Sequence, residues 1–223
     1  MLLLVLACAK DGTETHSGTS LTPADLERCA PDHGPFSAEI TNRFLPFAVG
    51  GVHVIEGLEG GTDWGRSESR VLDATGEIAG VTTRRVEKRS YEGSAAEPIL
   101  VEIAIESYAQ APDGSVCAYG ETTQEIDESG NVVEEDGWEA GDEGARPGLF
   151  MPAAPEVGQV YTMVYVPPDD VETAEVTAVG DAIETPAGTF DDTVSILEDG
   201  PSLKHYAAGI GMIYDDGMAL ASY

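Results

Sequence analysis

Apolar and polar positions alternate along almost all of the chain from Phe44 onward, and a helical period is hardly seen. The stretch Tyr108–Pro152 is the part around which the rest is arranged. Pro98–Gln110 and Ser115–Glu125 read as two strands joined at Pro112-Asp113-Gly114-Ser115, and Asp-Gly between alternating runs is a strong hairpin signal. Upstream, Ala48–Glu56 places Val52, Val54 and Glu56 on one face and His53 and Ile55 on the other. Arg66–Leu72 and Glu77–Val86 are predicted to flank a turn at Asp73-Ala74-Thr75-Gly76, and Val81–Glu87 suits a half-exposed strand. Downstream, Gln159–Val166 is broken by Pro167-Pro168-Asp169-Asp170. Val171–Val179 and Ala182–Thr185 follow. Thr193–Glu198, Leu203–Ala207 and Met212–Asp215 make a closing meander, with turns at Asp199-Gly200 and Asp216-Gly217. From residue 127 to 156 the pattern gives a long acidic, glycine-rich loop carrying Trp138.

One short helix is expected, over Thr22–Arg28. Thr22 suits the cap, Pro23 the first helical position and Asp25 the positive end of the dipole, and Pro31 marks the stop. Short strands at regular spacing without intervening helical patterns predict an all-β fold. That fold is an antiparallel meander closing into a half-barrel, barrel or sandwich, with one short N-terminal helix. A chain of 223 residues accommodates one such domain, assigned to residues 22–223.

The first residues are not expected to belong to the fold. Leu2–Ala7 is apolar but far too short to span a bilayer, and it runs into Val5-Leu6-Ala7-Cys8. This resembles the lipobox of bacterial lipoproteins, which implies cleavage before Cys8 and lipidation of its thiol. No Lys or Arg precedes the run, so residues 1–8 are taken as the remnant of a longer signal. Residues 9–21 are small and polar and read as a flexible tether. Cys29 and Cys117 then remain, a pair compatible with one disulfide and equally with two buried thiols.

Charge narrows the partners. Forty-one acidic residues against eleven basic ones give a net charge of -30. Phosphate binding needs clustered Lys and Arg, so nucleic acid is not an expected partner. No glycine-rich phosphate loop opens a helix, so nucleotide is not expected either. The acidity suits a solvated surface adapted to salt, a calcium-binding protein or recognition of a basic partner.

Several segments look like a family of uncharacterised bacterial exported lipoproteins. They are Asn42-Arg43-Phe44-Leu45-Pro46-Phe47-Ala48-Val49-Gly50, Tyr108-Ala109-Gln110, Tyr119-Gly120-Glu121, Trp138-Glu139-Ala140-Gly141, Pro147–Pro152, Gly188-Thr189-Phe190 and Tyr206-Ala207-Ala208-Gly209-Ile210-Gly211. The likeness spans roughly residues 40–215 and departs at Cys117 and His205. It implies a β-rich fold and an envelope location, and no activity.

The candidate ligand-binding residues are Tyr108, Tyr119, Glu121, Trp138, Glu139, His205 and Tyr206. Tyr108 and Tyr119 are expected to face one another across the hairpin, with Glu121 on the same side and Trp138-Glu139 folded over them as a lid. Asp127–Asn131 and the Asp-Asp pairs at 169–170, 191–192 and 215–216 are candidate calcium ligands, so calcium is the candidate cofactor. His53 and His205 meeting across the sheet is the candidate transition-metal pair. Serine-nucleophile elbows, His-Glu-x-x-His helices and Cys-x-x-Cys pairs do not occur in the sequence. The expected function is a non-enzymatic envelope binding or structural module, held at the membrane through Cys8 and taking a small apolar or cationic ligand. The alternative is a calcium- or metal-dependent envelope protein, or a hydrolase using Glu121, Glu139 and His205.

Overall fold

The computed structural model describes residues 23–168 and 170–223. The expected signal remnant, tether and lipidation at Cys8, the expected Thr22 cap and Asp169 lie outside the described residues. The first described elements are a short helix, α1 (Pro23–Glu27), and a 3-10 turn at Pro31–His33. Among the described residues, everything else of regular structure is strand. β1 (Ile40–Thr41) and β2 (Pro46–Phe47) form a small ribbon. Then come β3 (Val52–Glu59), β4 (Asp63–Ile78), β5 (Val81–Ser94), β6 (Glu97–Gln110), β7 (Val116–Ile126), β8 (Val132–Glu139) and β9 (Gly148–Met151). The second half holds β10 (Val160–Val166), β11 (Asp170–Val179), the ribbon β12 (Ile183–Thr185) and β13 (Gly188–Phe190), β14 (Thr193–Glu198), β15 (Ser202–Ala207), β16 (Gly211–Asp215) and β17 (Met218–Ser222).

The main sheet is antiparallel throughout and runs β10-β11-β14-β15-β16-β17-β3-β4-β5-β6-β7-β8, with β9 also on β7. It curls into a nearly closed barrel. β7 makes the closure by splitting its partner edge: Gly120–Ile126 pair with β8, whereas Val116–Ala118 pair with β9. β9 in turn lies against β10, where the Arg146 N–H donates to the Tyr165 carbonyl at 2.9 Å. The approach is close enough that a Cβ on Gly148 would sit 2.1 Å from the Met163 carbonyl oxygen, so only glycine fits there.

The central hairpin forms at Asp113-Gly114, where Gly114 takes φ +94° and the Asp113 carboxylate accepts the Ser115 N–H at 2.9 Å. Two expectations are corrected. The turn at Asp73–Gly76 is not a turn: β4 runs through it with a bulge between Val71 and Thr75, and the chain reverses at Ala79-Gly80, with φ of 50° and 78°. The loop expected over residues 127–156 contains two strands, β8 and β9. Its sharp reversal is at Asp127–Asn131, where one Asp127 carboxylate oxygen accepts the N–H groups of Ser129 and Asn131.

Cys29 and Cys117 are joined by a disulfide, both fully buried, which ties the segment after α1 to β7. The largest core cluster gathers Phe44, Leu45, Tyr108, Tyr119, Met151, Tyr161, Val176, Ile196 and Tyr206.

If the β9–β10 approach closes the barrel, Gly148→Ala forces the two strands apart. Urea unfolding of this variant is expected to show a loss of about 1–3 kcal/mol, the usual cost of overpacking. An unchanged midpoint would mean that the closure contributes nothing.

Candidate functional site

A cavity of about 230 Å³ opens inside the barrel, beneath the loops around residues 45–51 and 209–212. Alternation along four neighbouring strands builds its wall. Register sets His53 beside Ser69 and Ile55 beside Ser67 between β3 and β4. It sets Val71 beside Val86 and Ser69 beside Lys88 between β4 and β5, and Val86 beside Glu106 between β5 and β6. Because every second residue faces one way, these side chains share the inner face. Leu45, Phe47, Tyr108, Phe150 and Met212 complete an apolar lining. Tyr108 is clasped between Phe47 and Phe150, with ring centroids 5.4 and 4.8 Å away.

Lys88, Glu106 and Asp215 add charge to this wall. Lys88 is half-buried and lines the cavity. Burial alone would lower its pKa, but Glu106 and Asp215 outweigh burial and hold the ammonium above its ordinary range. Lys204 behaves in the same way. Its Nζ donates to Asp215 at 2.7 Å and lies 3.4 Å from Glu198, and these carboxylates offset its desolvation. Tyr206, fully buried, donates its hydroxyl hydrogen to Glu198 at 3.5 Å. His53 is pushed down by burial, so it is neutral near pH 7.

Carboxylates just outside the cavity carry the opposite strain. Burial pushes Glu121 up to about 7, helped by the nearby Glu106. Burial and then Asp170 push Glu172 up to about 7 as well.

The sequence candidates are distributed unevenly. Tyr108 lines the cavity and Tyr206 is buried near Glu198. Glu121 pairs in register with both Glu106 and Trp138, so those three share a face. Trp138 sits on the strand β8 and is not a lid. Glu139, opposite Gly120, is exposed. Tyr119 does not face Tyr108. A register shift pairs Tyr108 with Ala118, while Tyr119 donates to the Cys29 carbonyl at 2.8 Å and packs edge-on against Phe36. His205 bonds Ser195 at 2.7 Å and tilts against Tyr214, whereas His53 lies in the cavity wall.

Three of the calcium candidates have protein partners: Asp127 in its turn, Asp192 with Arg43 and Asp215 with Lys204. Lys88, Glu106, Lys204 and Glu198 were not marked by the sequence, and Asp215 was marked only as a calcium candidate. For Lys88 and Glu106 the signal was the run of charges at inward positions of β5 and β6, which also fits a half-exposed strand.

Chemically, the wall is suited to binding. The Lys88 amine is held protonated and so is a poor nucleophile, and burial holds the Tyr108 hydroxyl well above its ordinary range.

The raised Glu121 pKa has a definite sign. Folded Glu121 holds its proton up to about pH 7, whereas the unfolded carboxyl releases it near its ordinary value of 4.5. Its contribution is therefore fully present below about pH 4.5 and is lost as pH rises through about 7. Glu121→Gln is expected to remove a pH-dependent stability difference on the order of 3 kcal/mol between pH 5 and pH 8, as read by denaturant unfolding. Identical pH profiles for variant and parent would contradict this assignment.

No protein-family model matches this chain, and neither a curated protein nor a solved structure does.

Proposed function

We propose that the protein is a non-enzymatic binding module of the cell envelope, held on a lipid at Cys8, whose barrel cavity receives a small amphipathic ligand. The cavity carries this reading: an apolar lining with a few convergent polar groups is the usual build of a ligand site. Its size sets the scale. A dry cavity of about 150 Å³ accepts benzene, so one of about 230 Å³ accepts a ring with a short tail. The buried disulfide supports an exported location, because such bonds persist in oxidising compartments.

Thermal unfolding with 2-phenylethanol, a neutral ring with a two-carbon tail, tests the cavity. Near a hundred times its Kd, a ligand adds about 2.7 kcal/mol, so the midpoint is expected to rise by roughly 5–10 °C. Ser69→Phe, which fills the cavity from its wall, is expected to remove that rise and still unfold cooperatively. A rise of equal size in the variant would place the alcohol elsewhere.

The anchor is tested by intact mass of protein isolated from its native membranes. A diacylglyceryl addition on Cys8 at the mature N-terminus is expected, and an unmodified Cys8 would remove the anchor from this reading.

A further inference from the structure

The cavity's charged end says more than its size. Among the described residues, Lys88 Nζ has no hydrogen-bond acceptor and no carboxylate oxygen within 4.0 Å, although the half-buried side chain lines the cavity beside Glu106 and Asp215. Its N–H donors thus have no protein acceptor among the described residues, and the side chain borders the cavity. A half-buried ammonium left this way carries a partial desolvation cost that an incoming acceptor would offset. Lys204 differs, because Asp215 and Glu198 already hold it.

Two carboxylates share the cavity with Lys88. Glu106 stands beside Val86 on β6, and Asp215 ends β16. Asp215 gives one oxygen, Oδ1, to Lys204, and among the described residues its Oδ2 has no hydrogen-bond donor. The wall thus offers one unmatched cation and carboxylate acceptors around it. A ligand that is only an anion meets Lys88 but is repelled by Glu106 and Asp215. A ligand that is only a cation meets the carboxylates but faces Lys88. A head carrying both charges satisfies both sets, and its carboxylate and ammonium are joined through a single carbon in an α-amino acid.

We propose that the cavity selects a small zwitterion with an apolar body, of the class of an α-amino acid bearing an aromatic or branched side chain. The carboxylate takes the N–H donors of Lys88, the ammonium donates to Glu106 and Asp215, and the side chain lies among Phe47, Ile55, Val71 and Phe150. This rests on the cavity being the ligand site, as argued above.

Four probes share one body and differ in the head: L-phenylalanine (zwitterion), 2-phenylethylamine (cation), 3-phenylpropionate (anion) and 2-phenylethanol (neutral). Each is titrated calorimetrically into the full chain at pH 7 and fixed ionic strength. L-Phenylalanine is expected to bind about tenfold tighter than either single ion, the scale of one charged hydrogen bond lost. In Lys88→Met the amine is expected to match L-phenylalanine, and in Glu106→Gln the anion is expected to gain on it. A single ion binding the parent protein as tightly as L-phenylalanine overturns the proposal. Binding of 2-phenylethanol alone also overturns it but leaves the cavity as the ligand site. Binding of none overturns both. The comparison on the parent protein needs no variant, so a variant that fails to fold does not affect it.

Discussion

A sheet of this length has two edges that must either pair or face water, and a barrel exists only where the edges meet. Here they meet through β9, whose Gly148 allows its backbone to lie directly against Met163 of β10. β7 carries the burden on the other side by dividing its edge between β8 and β9. Without that junction β10 would be an open edge and the interior would fill with water. Lys88 and Lys204 would then return to ordinary solvent, and the raised carboxyl pKa values would relax. The electrostatics of the cavity therefore follow from a contact between two backbones.

The interior is unusual in what it encloses. Two ammonium groups, those of Lys88 and Lys204, lie among Glu102, Glu106, Glu198 and Asp215. Taking such charges from water is costly, and mutual attraction offsets it only when the geometry is complete. It is complete around Lys204 and incomplete around Lys88. Unfinished polar arrangements in an otherwise well-packed barrel are where function is to be sought, since stability alone would favour apolar substitutes.

Much of the architecture was legible in the sequence because turn chemistry is local. Asp113-Gly114 and Asp216-Gly217 carry residues that tolerate left-handed backbone, and both form the hairpins they announce. Ala79 takes φ 50° without such a residue's help, so its turn was assigned instead to Asp73–Gly76, which the strand absorbs as a bulge. β8 was hidden because Glu134, Glu135 and Asp136 are all exposed, leaving no alternation to detect. The cavity residues were hidden for the opposite reason. Lys88 and Glu106 alternate as strand residues should, yet their polar positions point inward, and only closure of the barrel tells inside from outside. Tyr119 was misplaced by one irregularity, the register shift after Ser107, which turns its ring away from Tyr108.

The Cys29–Cys117 bond also has a mechanical meaning. Once the domain is unfolded and stretched from its ends, the covalent path runs along the chain to Cys29, crosses the disulfide to Cys117 and continues to Tyr223. Residues 30–116, with β3 to β6 and Lys88 among them, lie outside that load path. The disulfide thus caps how far the unfolded chain extends, because those residues stay within a closed loop.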